Sequence, residues 1–374
     1  MMQSSQRGFT MVEIMVGLVV GMLGTLIVAQ AFTNNEARKR TTTSGGDAQA
    51  NGAIALYMLE RDTKMAGWGM TASPKSYVGC SNIFAYCDKS ADCGGKEGAL
   101  TDVNFAPALI KDGGDGPDSI SVQYFADPSQ SSYQPSGSTT IRRAMPQPSA
   151  ELDVGNAAVC QDGDLALVSQ AGNCTIMKIT EVQAQASKLQ HNSGAGGSYN
   201  PPASYFESGA NAWPKYPAGA SVTCFKPANG HPIFRKTYSV NTATKQLERS
   251  DNSQAPAVTN ELVMSEVVDM QAEYGVAPAG SQTIDTWVSA ASSPWKEPSW
   301  TDWQRIKAIR VAMVTRGVQY ERPKSADKGC TATTALSSSW AAFKTDKYPS
   351  DWGCYRYRVF ETVIPLRNVI WGKI

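Results

Sequence analysis

The sequence predicts an α+β fold: a long N-terminal α-helix packed on an antiparallel β-sheet head that loops enlarge. Three observations carry that reading. An apolar run leads from Phe9 to Phe32, a helical pattern continues to Met65, and beyond it apolar residues alternate with polar ones along short segments. Strands gathered after one helix, without strand-helix-strand alternation, point to α+β. With 374 residues, 42% of them hydrophobic, the chain can bury one sizeable core or two small ones.

The first element is RGFTMVEIMVGLVVGMLGTLIVAQAF, from Arg7 to Phe32, in which Glu13 is the one acidic residue of an uncharged apolar run. At about 1.5 Å of rise per residue, Phe9 to Phe32 crosses a hydrocarbon core roughly 30 Å thick. An unpaired carboxylate there costs several kcal/mol, so Glu13 needs a cationic partner from outside the segment. A secretory signal peptide has a shorter apolar centre. Ala29-Gln30-Ala31 supplies a cleavage site for one, but length and Glu13 oppose it. A plain anchor with Arg7 in the cytoplasm fits the length and leaves Glu13 without a role. Gly17, Gly21 and Gly24 allow close helix approach, the first two as GxxxG, or are simply tolerated in a membrane helix.

Gly8-Phe9-Thr10-Met11-Val12-Glu13 resembles the type III signal of type IV pilins and pseudopilins. The resemblance is in a short polar leader ending in Gly, then Phe, then Glu at the fifth mature position, then an unbroken apolar stretch. It implies that prepilin peptidase cuts after Gly8 and that the new amino terminus on Phe9 is N-methylated. It also gives Glu13 a partner, the terminal amine of an adjacent subunit in a filament core. The organisation expected is a leader (1–8), a transmembrane and filament-core helix (9–32), an amphipathic continuation (33–66) and a periplasmic β-rich head (67–374).

In the continuation, DAQANGAIALYMLERDTKM places Ile54, Met58 and Arg61 on one face, with Tyr57 and Met65 close by, as a stripe to pack under the head. Gly45-Gly46 predicts a bend or local melting, at about 1 kcal/mol per glycine. Trp68, between Gly67 and Gly69, reads as the helix exit. Strands follow at Ser119 to Phe125 with Ile120, Val122 and Tyr124 inward, and at VVDMQAEYGV with Val268, Met270, Ala272, Tyr274 and Val276 inward. Leu165 to Ser169 pairs with Thr175 to Val182 across Ala171-Gly172-Asn173. Ile306 to Thr315 and Tyr355 to Ile364 complete the set, Pro365 ending the ladder.

GDGPDSISVQYF, QDGDLALVSQAGNC, VVDMQAEYGV, RIKAIRVAMVTRG and RVFETVIPLRNVIW follow one another in an order that resembles the larger PilW family of minor pilins. That resemblance implies a structural subunit of a type IV pilus in a tip or priming complex. Its partners would be other minor pilins, the major pilin, prepilin peptidase and a PilY-type tip adhesin. It implies residence in the inner membrane before assembly and on the pilus afterwards. A type II secretion pseudopilin would share the Glu13 mechanism.

Eight cysteines, Cys80, Cys87, Cys93, Cys160, Cys174, Cys224, Cys330 and Cys354, follow the membrane helix and suit an oxidising periplasm. Sequence proximity favours Cys330 with Cys354 and Cys160 with Cys174, leaving the other four unassigned. Zinc is disfavoured by the Cys87 to Cys93 spacing and by the placement of His191 and His231 in loops. Asp112, Asp115 and Asp118, among glycines, form a calcium candidate whose plainer reading is a turn.

No cofactor, catalytic residue or nucleic-acid partner is expected. Basic and acidic residues nearly balance, 34 against 33, and Arg38-Lys39-Arg40 suits a solvated or headgroup-contacting face. Ser250-Asp251-Asn252 spells the SDN of penicillin-binding proteins, and SxxK occurs at Ser293 to Lys296 and at Ser325 to Lys328. The order is wrong for a membrane-anchored serine acyltransferase, since SDN comes first and KTG is absent. The aromatic insert from Ser193 to Ala220 reads as a surface loop. Trp287, Trp295, Trp300 and Trp303 read as a plug on the sheet in preference to a contact patch.

Overall fold

The computed structural model describes residues 9–73, 76–77, 80–88, 97–99, 105–125, 137–194, 199–207, 212–226, 233–252, 258–323 and 329–371. Gly8, Cys93, His231 and the Ser325 to Lys328 motif lie outside the described residues.

Helix α1, Met11–Lys64, runs for 54 residues and is closed by the Met65 amide donating to the Asp62 carbonyl at 3.0 Å. It stays helical through Gly45-Gly46, without the local melting that was one of the two expectations there. Tertiary contacts hold the helix beside this weak point. The Gln319 amide donates to Ser44 Oγ at 3.1 Å, and the Thr315 hydroxyl donates to the Ala48 carbonyl at 2.9 Å. The face that packs under the head also differs from the expected stripe. Ala48, Gly52, Ala55, Leu56, Leu59 and Asp62 are buried, whereas Ile54 and Tyr57 are 47% and 64% exposed. Small residues at Ala48, Gly52 and Ala55 let the backbone approach the sheet, and the bulky Ile54 and Tyr57 point away.

Fourteen strands build the three main sheets. In chain order they are β1 Asn82–Phe84, β2 Ala108–Lys111, β3 Ser119–Tyr124, β4 Ser138–Thr140, β5 Leu165–Gln170, β6 Asn173–Lys178, β7 Ser221–Phe225, β8 Phe234–Asn241, β9 Gln246–Asp251, β10 Val258–Ser265, β11 Val267–Val276, β12 Thr286–Ser289, β13 Ile306–Arg316 and β14 Tyr357–Pro365. The orders are β1-β6-β5-β7-β4, β10-β9-β8-β3-β2 and β12-β11-β13-β14. Pairing is antiparallel except between β1 and β6. Short two- and three-stranded sheets fill the loops.

Ile120, Val122 and Tyr124 are buried as the alternation predicts. In β11 the alternation slips. Val267 is buried and Val268 only half-buried, because the register against β13 shifts between Val267 and Asp269. The β5–β6 hairpin turns at Ala171-Gly172, both with positive φ (50° and 82°), and β6 ends at Lys178, short of the expected Val182. Strand β14 ends at Pro365, which still faces Ala308.

Two cores result. The main one joins α1, through Ala55 and Leu59, to the β3–β8 and β11–β13 strands and to one face of β5 and β6. The second covers the opposite face of β5, β6 and β7. Phe206, Trp213 and Tyr216 of the aromatic insert are buried in it, and the Tyr216 and Thr175 hydroxyls are hydrogen-bonded at 2.8 Å. The insert's described part is therefore a wall of a core where a surface loop was expected. Each buried aromatic removes a large apolar area from water.

Candidate functional site: the exposed helix and its seat on the head

The first half of α1 presents its apolar side chains outward. Phe9 is 85% exposed, and Met11, Leu18, Met22, Val28 and Phe32 are likewise exposed. By length and composition this helix suffices to cross a membrane. A soluble chain does not leave so much contiguous apolar surface uncovered, so this surface marks a lipid or protein interface.

Thr10 caps the helix. Its hydroxyl accepts from the Glu13 amide at 3.3 Å, and Glu13 Oε2 accepts from the Thr10 amide and hydroxyl, each at 2.9 Å. This capping box satisfies two free donors of the first turn. Glu13 makes no ion pair among the described residues. At Gly17, Gly21 and Gly24 no heavy atom lies within 4 Å of where a Cβ would sit, so this side of the helix is open to close approach.

The second half of α1 is locked to the head at a ladder of points. A Cβ on Gly317 would lie 2.4 Å from Ser44 Oγ, and one on Gly52 would lie 2.1 Å from the Phe360 ring. Further along, Asp62 is buried against the head. Its Oδ2 accepts from the Tyr238 hydroxyl at 2.7 Å and lies 3.5 Å from Lys236 Nζ and 3.9 Å from Arg249 Nη1. Burial and the Asp62 carboxylate both push the Tyr238 phenol above its ordinary value. At the top, Asn368 Nδ2 donates to the Ala66 carbonyl at 3.0 Å. Sequence reasoning missed Asp62. The available signal was its spacing of three and seven residues from Leu59 and Ala55, which puts a charge on the buried stripe.

Disulfides join Cys80 to Cys174, Cys160 to Cys224 and Cys330 to Cys354, with Cα separations of 5.6, 5.4 and 4.7 Å. The expected pairing of Cys160 with Cys174 does not occur. Cys174 on β6 faces the main core and Cys224 on β7 faces the second, so strand alternation sends them to opposite sides of one sheet. Cys160 lies in the second core and reaches only Cys224. Cys87 is also disulfide-bonded.

The three candidate calcium carboxylates do not converge; among the described residues no group of three such ligands forms. Asp118 is buried, accepting from the Gly113 and Ala272 amides, each at 2.8 Å. Asp112 accepts from the Gly114 amide at 2.7 Å and from the Ser289 hydroxyl at 3.1 Å, and Asp115 lies 3.6 Å from Lys347. These are turn-fixing contacts. Burial outweighs the two amide bonds and pushes Asp118 up to about 6.

Asn252 of the SDN motif and His191 are held by local contacts. Asn252 accepts from the Arg235 amide at 2.6 Å and donates to the Ile233 carbonyl at 2.9 Å, a strand-end clamp. His191 is buried with Nε2 2.7 Å from the Ala150 carbonyl, and its desolvation lowers its pKa. Trp303 and Trp287 have different surroundings. Trp303 is buried edge-on to Tyr274, whereas Trp287 lies 4.9 Å from the Arg310 guanidinium, which also covers Trp340 at 4.4 Å.

Residues 236–368 match the family model described as Type IV Pilus-assembly protein W, and residues 3–29 match the prokaryotic N-terminal methylation motif. None of the curated proteins matches the chain. Among solved structures, a type IV-like pilin from Thermus thermophilus aligns over 85% of this chain and 95% of its own, at 8% identity and a TM-score of 0.32.

Proposed function

We propose that this chain, similar to type IV pilus-assembly protein W over residues 236–368 and to the prokaryotic N-terminal methylation motif over residues 3–29, is a non-enzymatic minor pilin that primes or caps the fibre. In this reading prepilin peptidase removes residues 1–8, Phe9 is methylated, and the helix leaves the inner membrane to join a filament with the head in the periplasm. Other minor pilins, the major pilin and a PilY-type adhesin are its partners. The observation that carries the reading is Glu13: a carboxylate on an exposed apolar helix, capped by Thr10 yet without a cation among the described residues.

The physical logic is a register device. Burying Glu13 among apolar helices is costly until a cation meets it, so the helix settles where the amino terminus of a neighbour lies alongside. The expected outcome for Glu13→Ala is normal expression and membrane insertion with loss of incorporation into pili, read by immunoblot of sheared fibres. Pili that incorporate the variant at the wild-type level would refute the pairing.

A further inference from the structure

The helix and the head enclose a groove of about 720 Å³ beside the glycine pair. Arg38, Gly45 and Gly46 line it from α1, and Glu321, Arg356 and Arg358 line it from the head. Its position follows from the contacts along α1. Ser44 meets Gly317 and Gln319, Gly52 meets Phe360, and Ala66 meets Asn368, so β14 runs the same way as the helix and its start lies at the end of the head nearest the membrane segment.

Charge then points to the occupant. Of the three arginines only Arg356 makes an ion pair among the described residues, with Glu321; Arg38 and Arg358 are exposed and make none. The groove therefore carries a net positive charge. Arg38 stands six residues after Phe32, about 9 Å of helical rise above the apolar segment, within reach of the headgroup layer. Arg358 is higher along the axis, but on the side where the head lies. A tilt of the helix toward the head, within the usual range of about 0 to 40°, lowers it toward the same layer.

We propose that this groove binds the phosphate of an anionic lipid in the periplasmic leaflet, with Arg38 and Arg358 as ligands, so that the head leans on the membrane before assembly. The absence of side chains at Gly45 and Gly46 leaves the floor open, with no heavy atom within 4 Å of either Cβ position. The proposal rests on the reading of residues 9–32 as a membrane span. Departure into a filament would then require release of this contact, which places a lipid-dependent step before assembly.

The test uses the full chain reconstituted in vesicles of phosphatidylcholine, with or without phosphatidylglycerol, and hydrogen exchange of residues 38–46 and 354–358. Protection is expected in the anionic vesicles, reversed by high salt. It should fall by about fivefold for each of Arg38→Glu and Arg358→Glu, with the corresponding lysine variants largely retaining it. Equal protection in neutral vesicles, or retention in the double glutamate variant, overturns the proposal. Protection that grows only with protein-to-lipid ratio would assign the groove to the acidic surface of another copy and also overturns it. Resistance to alkaline extraction is scored separately, so failure of the membrane span is distinguishable from failure of the groove.

Discussion

The Tyr238 hydroxyl donates a 2.7 Å hydrogen bond to Asp62, a residue 176 positions earlier, and so ties the middle of the head to the end of the long helix. Lys236 and Arg249 stand behind it, with side chains only 12% and 14% exposed. With Ser44, Ala48, Gly52 and Ala66, Asp62 is one of a series of points at which the second half of the helix is held to the head.

Removing the carboxylate should leave a poorly solvated Lys236 facing an apolar side chain. Asp62→Leu is expected to lower stability by about 3 kcal/mol, and Tyr238→Phe by about 1 to 2 kcal/mol. Chemical denaturation of the detergent-solubilised chain checks both. An Asp62→Leu curve that overlays the wild type would mean that the network does not hold the helix.

Gly52 offers a sign test. In an exposed helix Gly→Ala stabilises by about 1 kcal/mol, but here the added Cβ would fall 2.1 Å from the Phe360 ring. Gly52→Ala is therefore expected to destabilise the protein, and the same substitution in a Phe360→Ala background to stabilise it. A double-mutant cycle with no coupling would show that the helix does not rest on β14 here.

Asp118 should leave a pH signature. Burial raises it from 3.8 to about 6, with Asp112 and Asp269 adding like charge and the Gly113 and Ala272 amides opposing. The folded state thus holds the proton more tightly than the unfolded chain. The associated stability is fully present below pH 3.8 and is lost as pH rises through about 6, a contribution of about 3 kcal/mol. In Asp118→Asn that pH 4 to 6 dependence should vanish from the unfolding midpoint. An unchanged slope would place the titration elsewhere.

The periodic parts of this fold were readable in the sequence because backbone geometry dictates them. Ile120, Val122 and Tyr124 had to share a face, and the apolar run that ends at Phe32 lies in one long helix. What failed depended on contacts between distant segments. The buried stripe of α1 was set by small residues meeting Phe360 and Thr315, not by Ile54 and Tyr57, which are larger but point outward. Val268 lost its inward place to a bulge that only pairing with β13 reveals. The pairing of Cys160 was decided by which face of a sheet each cysteine takes, and chain proximity says nothing about that. At the candidate site, Glu13 stood out because a charge is rare in a long apolar run, whereas Arg356 and Arg358 look ordinary until the fold brings them beside Arg38.

Residues 9–32 are proposed as the processed, methylated core helix of a pilin. Mass spectrometry of the N-terminal peptide from protein purified out of cells that express prepilin peptidase tests this most directly. The mature chain is expected to begin at N-methylated Phe9. A mature chain beginning at Phe32 would identify an ordinary signal peptide and contradict it.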